Sequence, residues 1–468
     1  MSSSSFRWGA LAVLSAVIFL DALDVSMVGV ALPSIQHDLG LTTSSLQWVV
    51  SGYVLGYGGL LLLGGRTADL LGRRRVFLVA LAVFAVASLL GGIVDDGGLL
   101  IAARFIKGVS AAFTAPAALS IITTTFPEGP QRNKALSVFT AAGASGYSLG
   151  LVLSGLLTEL GWRWTFLMPV PVAVISLFVA LKVLKRGEEE RAEGGHDLVG
   201  AVLITASMLL LVFTVVQAPE AGWLSFRTIG SLIASAALLG LFVFAELRMR
   251  HPLVRLGILR SGSIVRANLG LVVLMGSYVG FQFIAMQYFQ NLLGWSALET
   301  ALAFLPAGLL VALTSTKMGD FADRFGTAKL IAIGSAALAG GYAFFFLGLS
   351  ETPSIAGVVL PGMVLLGIAF ALLFPSLNIQ ATNGVHDDEQ GLASGLLNTS
   401  GQVGGAVVLA VATAVLTSSS TLTIDALRAA IVVSLVLGVV GFGVALTGLR
   451  RRTAPAAEAD APKVYETV

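Results

Sequence analysis

Apolar runs of about 20 residues recur along the whole chain, and they restrict its fold more than any other feature. A run of that length forms a helix that crosses the hydrocarbon core of a bilayer. Composition agrees, since 56% of the 468 residues are hydrophobic and only 12% are charged. A membrane β-barrel would instead show segments of about 10 residues with alternating polarity. The sequence therefore predicts an all-α polytopic membrane protein.

Hydropathy, together with the Gly, Pro and charged residues between the runs, predicts fourteen membrane spans. An even number places both termini on the same side of the membrane. The first run is too long for a signal-peptide core and lacks a small-residue cleavage site, so we expect it to remain as a helix. The predicted spans are 9–32, 46–65, 76–94, 99–122, 135–158, 164–182, 198–217, 228–246, 266–290, 299–317, 328–349, 355–380, 391–416 and 428–449.

Lys and Arg are distributed unequally between the two sides of this topology. All but five of the 28 fall in the termini and in the alternate loops on the same side. The exceptions are Arg163, Arg227 and Arg428 on the opposite side, and Arg104 and Lys107 within the fourth span. Because cytoplasmic loops carry the excess of basic residues, both termini are predicted to be cytoplasmic. The basic face is expected to contact anionic membrane lipids, not nucleic acid.

A short loop sequence occurs twice and is the clearest sign of internal repetition. GRTADLLGRRR follows the second span and contains Gly65, Asp69 and Gly72, while GDFADRFG follows the tenth and carries Asp323 at the matching position. Glycine permits a sharp reversal and close helix approach, and the aspartate can pair with an arginine or a helix N-terminus. A generic charged hairpin is the alternative. These residues, with Arg73, are predicted to form a conformational gate.

The repeat divides the chain into four parts, because the interval between the copies fits six helices and leaves room for two more. Residues 1–184 are predicted to form an N-terminal six-helix bundle, and 261–450 a C-terminal one. Residues 185–260 form a charged linker and two inserted helices, and 451–468 a disordered cytoplasmic tail. Neither inserted helix carries a charge at mid-membrane, so both are expected to be peripheral. We expect a monomer.

Two aspartates interrupt the first predicted span, in FLDALDVSMVGVALP. On a helix that begins near Gly9, Asp21 lies about 18 Å and Asp24 about 22 Å from the start, so both are in the middle or outer middle of the bilayer. Their spacing of three places them on nearly one face. A charged carboxylate there costs about 3 kcal/mol unless it faces a cavity, finds a partner or is protonated. Both are candidate proton-binding groups, with interhelical hydrogen bonding as the alternative.

Several motifs together resemble the major facilitator superfamily. GRTADLLGRRR resembles its signature between helices two and three, and LDVSMVGVALP resembles the first-helix motif of its fourteen-helix drug:proton antiporters. The stretches ARFIKGVSAA, WRWTFLMPVP, YFQNLLGWSALETALAFLP and GLASGLLNTSGQVGGA extend the resemblance over nearly the whole chain. The resemblance implies two bundles that alternate access and efflux of amphipathic compounds in exchange for protons.

The resemblance also assigns roles to the charged residues of the spans. By motif match, Asp24 is the first-helix aspartate, and Arg104 is the span-four arginine that the family implicates in proton coupling. Asp24 is therefore predicted to be the main proton-binding carboxylate, with Asp21 as an auxiliary and Arg104 as the partner that biases the charge state. Lys107, one turn further, has no assigned role.

The chain departs from the family pattern at several positions. Where span five of such antiporters has Gly-Pro-x-x-Gly-Gly, this sequence has Leu151 for the proline and Ser154 for a glycine. Gly29 and Pro169 stand where the family motifs have asparagine. The remaining glycines of span five still leave one face smooth enough for close helix packing. An importer or facilitator of a specific metabolite stays open as an alternative, followed by a membrane sensor without flux.

A cavity for amphipathic compounds needs apolar and aromatic surface with a few polar groups. The amides are the stronger candidates because an uncompensated amide in lipid is costly, whereas aromatic side chains often face lipid or the core. About half of the candidates are expected to contact substrate. They are Tyr278, Phe281, Gln282, Met286, Gln287 and Phe289 in the ninth span, and Asn378, Asn398 and Gln402 in spans twelve and thirteen.

The predicted function is transport and not enzymatic catalysis. The protein is expected to lie in the bacterial inner (plasma) membrane and to export small amphipathic compounds such as drugs, antibiotics or biocides. Spans twelve and thirteen contain no acidic residue, so monocations, zwitterions or neutral lipophiles suit the cavity better than dications. The chain has no cysteine and its four histidines are scattered over loops, so no metal or other cofactor is predicted; the proton gradient drives transport.

Overall fold

The computed structural model describes residues 3–126, 130–184, 198–249, 256–314, 317–382, 385, 390–418 and 421–450. Thirteen helices within them are long and apolar enough to cross a membrane, and the 29-residue helix α2 is a further long one. The prediction of an all-α membrane protein with fourteen spanning helices is confirmed. The predicted linker after Lys185 and the predicted C-terminal tail lie outside the described residues.

The helices are numbered here as the spans were. They are α1 (Ser3–Leu39), α2 (Thr43–Leu71), α3 (Arg73–Ile93), α4 (Gly97–Thr125), α5 (Pro130–Leu160), α6 (Trp164–Val183), α7 (Leu198–Ala221), α8 (Phe226–Glu246), α9 (Gly262–Met286), α10 (Ala297–Thr314), α11 (Thr327–Gly348), α12 (Leu360–Thr382), α13 (Gln390–Thr417) and α14 (Ile424–Arg450).

Most helices extend beyond the apolar runs that predicted them, because local signals and not hydropathy set their ends. The side chain of Thr42 caps α2 by accepting a hydrogen bond from the Ser45 amide at 3.1 Å. Asp96 caps α4 in the same way through the Leu99 amide at 2.8 Å. Such caps satisfy amide groups that a helix start leaves without partners.

Equivalent helices pair in the two halves of the molecule. In the N-terminal half α1 packs on α5, α2 on α4 and α3 on α4; in the C-terminal half the corresponding pairs are α9 with α13, α10 with α12 and α11 with α12. The repeat that the loop motif indicates is therefore a repeat of helix packing. The two halves meet through α5 against α10 and through α2 against α13.

The prediction that both inserted helices are peripheral is wrong for α7. This helix packs on α2 of one half and α13 of the other, with Leu209 seated over Gly59 and Val212 and Val216 in an apolar cluster with Ala406. The glycine leaves a depression that a leucine fills, which a count of midplane charges could not reveal. Helix α8 lies outside α7, to which it is joined through Ser207 by paired serine hydrogen bonds.

The halves are packed together at the end of the bundle away from the described termini. One apolar core combines the far ends of N-terminal helices, such as Val30 and Leu151, with C-terminal residues such as Phe283 and Ala301. The apolar core around Phe77, near the other end, contains residues of the N-terminal half alone. The structure is therefore closed between the halves at one end.

Candidate functional site

Helices α2 and α4 are in close contact, and α4 places the basic side chains of Arg104 and Lys107 in the interior of the N-terminal half. A Cβ atom at Gly108 would lie 2.1 Å from the Tyr53 carbonyl oxygen, and one at Gly56 would lie 2.4 Å from that of Phe105. Only glycine permits this approach. The sequence prediction concentrated on the glycines of α5 and missed this seam, although the glycine next to Lys107 was a visible signal.

Asp24 is the centre of a buried cluster of charges. Its Oδ2 atom is 2.6 Å from Nη1 of Arg104, and its Oδ1 atom accepts a short hydrogen bond from Nζ of Lys107. The carboxylate and Lys107 are fully buried, and Arg104 nearly so. Arg104 also donates from Nε to the Val49 carbonyl at 2.9 Å, and Lys107 donates to the Ser88 hydroxyl at 2.7 Å. Two cations therefore share one carboxylate.

Asp21 belongs to the same cluster but has a different partner. The Tyr53 hydroxyl donates to its Oδ1 atom at 2.7 Å, and the ring of Tyr53 lies under the Arg104 guanidinium, 4.7 Å from Cζ to the ring centroid. Asp21 also borders a cavity of about 10 Å³, close to the space that one water needs. That cavity is lined by Val17, Leu20, Asp21, Leu81, Phe84 and Thr114.

Aromatic rings surround the Lys107 ammonium. Its Nζ atom lies 4.7 Å from the centroid of Phe84 and 5.3 Å from that of Phe166. A cation over a ring face is stabilised by the ring quadrupole, and the stabilisation is larger where water is excluded. Lys107, for which the sequence suggested no role, is therefore part of the buried cluster and is held there by its contacts with Asp24, Phe84 and Phe166.

The glycine face of α5 fits against α1 beside this cluster. Cβ atoms at Gly146 and Gly150 would lie 2.3 Å from the Phe19 carbonyl oxygen and 2.1 Å from the Ser26 hydroxyl. Ser154, which replaces a family glycine, donates its hydroxyl to the Met27 carbonyl at 2.5 Å. The departure from the family motif therefore adds an interhelical hydrogen bond, and the expected close packing of span five is present.

The two copies of the predicted gate share their backbone geometry. Gly72 has φ +95° and Gly326 has φ +78°, a region that L residues rarely adopt. Gly72 permits the reversal between α2 and α3, and Gly326 permits the one between the short helix Met318–Phe325 and α11. Gly65 is in ordinary contact with Pro116, and its neighbour Gly64 makes the close approach to α4. Arg73 is half-buried at the start of α3. The side chains of Asp69 and Asp323 lie outside the described set.

Four aromatic or amide side chains meet between the halves near the middle of the bundle. Tyr147 of α5 stacks on Phe370 of α12 at 6.5 Å between ring centroids, and Tyr278 of α9 lies 5.4 Å from Phe370. The Tyr147 hydroxyl donates to Oε1 of Gln282 at 3.2 Å. Tyr278 and Gln282 were predicted from the sequence, whereas Tyr147 and Phe370 were missed. A lone tyrosine on the glycine face of α5 was the available signal for Tyr147.

Gln282 faces a position where the chain departs from its family. A Cβ atom at Gly29 would lie 3.1 Å from Nε2 of Gln282, and that amide nitrogen has no hydrogen-bond partner among the residues that the structure describes. An asparagine at position 29 would occupy the space that Gln282 uses. The glycine of α1 and the glutamine of α9 are therefore complementary across the interface between the halves.

The structure separates the other predicted substrate residues into four groups. Phe281 and Phe289 are fully buried in the C-terminal half, packed on Phe345 and Trp295 respectively. The π-helix Gln287–Leu292 follows α9 directly and widens the turn that carries Phe289. Met286 and Gln287 are buried at the closed end. Gln402 lies on α13 against Gly58 of α2. The amide groups of Asn378 and Asn398 donate hydrogen bonds to backbone carbonyls of their own helices.

One ion-pair cluster at the closed end belongs to the N-terminal half. Arg163, between α5 and α6, bonds Asp38 at 2.6 Å and also Asp95, and Asp38 accepts a further hydrogen bond from the Trp162 indole at 2.8 Å. Hydrogen bonding to Asp38 and Asp95 raises the pKa of the Arg163 guanidinium, which therefore remains a cation. This cluster joins the end of α1 to the α3–α4 and α5–α6 loops of the same half.

Comparison with known proteins agrees with the packing. The Major Facilitator Superfamily profile matches residues 14–409. The chain belongs to this superfamily. It is 39% identical over 419 residues to the cephamycin export protein CmcT of Amycolatopsis lactamdurans, covering 88% of this chain and 85% of that protein. It is 36% identical over 421 residues to the puromycin resistance protein pur8 of Streptomyces alboniger, covering 88% and 82%.

Solved structures show the same fold at low sequence identity. The human organic anion transporter MFSD10 aligns with a TM-score of 0.64 at 17% identity, covering 94% of this chain and 99% of its own. Tetrameric PepTSo2 aligns with a TM-score of 0.67 at 14% identity, covering 95% and 99%. The chain is therefore a multi-pass membrane transport protein for small molecules and not an enzyme, as the sequence predicted, in a superfamily that generally needs no cofactor.

Proposed function

We propose that this protein exports small amphipathic compounds across a bacterial inner membrane in exchange for protons, by alternating access of its two halves. One observation carries the proposal: two carboxylates and two cations are buried together inside a bundle of membrane helices. Charges at that depth are costly, and they mark ion and proton pathways in membrane proteins. Relatives named for resistance to puromycin or lincomycin, or for cephamycin export, support drug efflux.

Proton coupling is assigned to this cluster. Asp24 and Asp21 are the candidate proton-binding groups, and Arg104 is the cation whose interaction with them changes when a proton binds. A proton that enters from outside reduces the negative charge on α1, and its release to the cytoplasm restores that charge. The difference between the two charge states biases the equilibrium between inward-facing and outward-facing arrangements.

The substrate region is assigned to the interface between the halves. Tyr147, Tyr278 and Phe370 supply aromatic surface, and the amide N–H of Gln282, which no described residue accepts, supplies a hydrogen-bond donor. Such a set suits planar, amphipathic molecules with a hydrogen-bond acceptor. Gln402, at the contact between α2 and α13, is a further candidate.

The orientation proposed is that of the sequence prediction, with both termini in the cytoplasm. The end at which the halves pack together then faces outward, so the structure corresponds to an inward-facing state ready to take substrate from the cytoplasm. The loops around Gly72 and Gly326 would close that side as the halves rock, with Asp69, Asp323 and Arg73 as the gate charges. A monomer surrounded by anionic lipid suffices for this cycle.

Transport in inverted membrane vesicles tests the proposal. Vesicles from an efflux-deficient bacterium that produces the chain would be given puromycin, lincomycin, a cephamycin or tetracenomycin C under an imposed pH gradient. We expect at least one compound to accumulate only when the vesicle interior is acidic, and an uncoupler to abolish this. Vesicles without the protein are the matched control.

Two other results would point to the alternatives. Uptake confined to right-side-out vesicles would indicate an importer. Binding of a compound without flux in either orientation would indicate a sensor. Accumulation that does not respond to the pH gradient would retain export but remove the proton from the proposal.

A further inference from the structure

We propose that Asp21, and not the family aspartate Asp24, is the carboxylate that binds and releases the coupling proton, because both oxygens of Asp24 are already bonded to the cations Arg104 and Lys107. The inference rests on the proposed function in that it names the proton site of the same transporter. It reverses the roles that the first-helix motif predicts for the two residues.

The bonds of Asp24 leave no favourable place for a proton. Each of its oxygens accepts from a different cation, Oδ2 from Arg104 and Oδ1 from Lys107, and the carboxylate is fully buried. A proton on either oxygen would remove the negative charge that the two cations share. Two cations would then remain in a dry interior beside a neutral group, which is the most costly arrangement for buried charges.

The bonds of Asp21 survive protonation. Its one described hydrogen bond comes from the neutral hydroxyl of Tyr53, which can donate to a carboxylate and accept from a carboxylic acid. Asp21 forms no ion pair with any side chain that the structure describes. Its position beside the small cavity also gives it space for a water, through which a proton can arrive.

The groups around Asp21 explain how both charge states are tolerated. Asp24 lies on the same helix, Tyr53 and Tyr57 face it from α2, and Arg104 and Lys107 act on it from α4. Helix α3 presents Leu81 and Phe84, whereas the glycine face of α5 contacts another side of α1, at Phe19 and Ser26. With both aspartates ionised the four charges sum to zero. Protonation of Asp21 therefore adds one positive charge to the cluster without breaking an ion pair.

Tyr53 connects this site to the interface between the halves. Its ring is buried in the apolar cluster that joins α2 to Ala406 of α13 and to Val212 and Val216 of the inserted helix α7. The hydrogen bond between Tyr53 and Asp21 is therefore made by a side chain that also lies in the contact between α2 and α13, and this contact must rearrange when the halves move. The tyrosine is a positioning residue that links proton binding to the contact between α2 and α13.

Infrared difference spectroscopy of the purified full chain tests the inference without any substrate. Spectra would be recorded in acid and in alkaline buffer, and the carboxylic-acid bands of parent and variants compared, because the chain holds 26 Asp and Glu residues and only the difference isolates one. Asp21→Asn should remove one buried carboxylic-acid band. Asp24→Asn with Lys107→Gln, which removes a carboxylate together with one of its cations, should keep that band.

The same variants would then be reconstituted and assayed for puromycin flux driven by a pH gradient. Asp21→Asn should lose the gradient dependence, while the double variant should keep it at lower turnover. A folded Asp21→Asn that retains the full band overturns the inference, as does a folded double variant that loses it, or a parent that shows no titrating buried carboxyl. If the band behaves as expected but a pH gradient drives flux of none of the tested compounds in the parent, the proposed proton coupling fails; Asp21 is then still the titrating carboxyl of the cluster, but it binds no coupling proton.

Discussion

The two halves share one packing scheme but have different interiors. In the N-terminal half, α1 and α4 hold Asp21, Asp24, Arg104 and Lys107 within one buried network. In the C-terminal half, the equivalent helices α9 and α12 have no acidic or basic residue at that depth among the described ones. Their buried polar bonds are neutral, such as the Tyr342 hydroxyl to the Ser277 hydroxyl at 3.0 Å. The internal repeat thus preserves helix pairing and not chemistry.

Under the proposed function, this difference is a division of work within the transporter. The half that contains the paired charges would bind and release the proton, which changes the net charge of its interior. A half built from aromatic rings and hydroxyls presents surface for amphipathic molecules and has no comparable response to pH. Coupling then requires contact between the halves, which α2 and α13 provide and α7 reinforces.

The largest expected effect comes from breaking the ion pairs of the charged half. Asp24→Asn removes the shared carboxylate and leaves two buried cations, so the free energy of unfolding should fall by about 3–5 kcal/mol. Thermal unfolding in detergent, followed by tryptophan fluorescence, would measure it. Adding Lys107→Gln removes one of the stranded cations and should recover part of the loss. An unfolding midpoint equal to that of the parent would show that the cluster is more hydrated than its burial indicates.

The next effect comes from separating the helices that carry the cations. Gly108→Ala places a Cβ atom against the Tyr53 carbonyl, and because the obstacle is backbone the cost should be about 3 kcal/mol. Gly143→Ala on α5 is the matched control, since its Cβ would lie 3.6 Å from Ile18, an ordinary contact. Equal stability of the two variants would mean that α2 and α4 can move apart without cost.

A smaller effect, equal in the two halves, is expected at the repeated loop. Gly72→Ala and Gly326→Ala each force a side chain into a positive φ, at about 1–2 kcal/mol apiece. If the two loops are structurally equivalent, the two substitutions should lower the unfolding midpoint by similar amounts. A loss at Gly72 alone would show that only the N-terminal copy is under structural constraint, and the loops would then not be equivalent gates.

The fold was largely predictable from the sequence because membrane helices are specified by long apolar runs, and the loop repeat located the two halves. Asp24 and Arg104 could be paired in advance through the family motif. Lys107 could not be assigned, because its partner on α1 is visible only when the glycine seam between α2 and α4 sets the distance. Such contacts depend on tertiary packing, which cannot be read from a single sequence.

The positions of the candidate substrate residues were predicted less well, for a geometric reason. Aromatic side chains of α9 fall on several faces of the helix, and hydropathy cannot tell the face toward the other half from the face toward the core. Tyr278 and Gln282 lie at the interface, whereas Phe281 lies in the core on a face about 60° away from Tyr278 by helical rotation. The π-helix that follows α9 could not be foreseen from an apolar pattern.

The smallest expected effect compares one hydroxyl in each half. Tyr53→Phe removes a bond to a carboxylate, and Tyr342→Phe removes a bond to a serine hydroxyl, so the first should cost about 1 kcal/mol more than the second. Unfolding of the two variants in detergent would measure the difference. It should narrow in acid, because a protonated Asp21 no longer gains from a charge-assisted bond, while the cost of Tyr342→Phe should not change with pH. Costs that are equal at alkaline pH would mean that Asp21 is already neutral there, and the contrast between a charged and a neutral half would then rest on Asp24 alone.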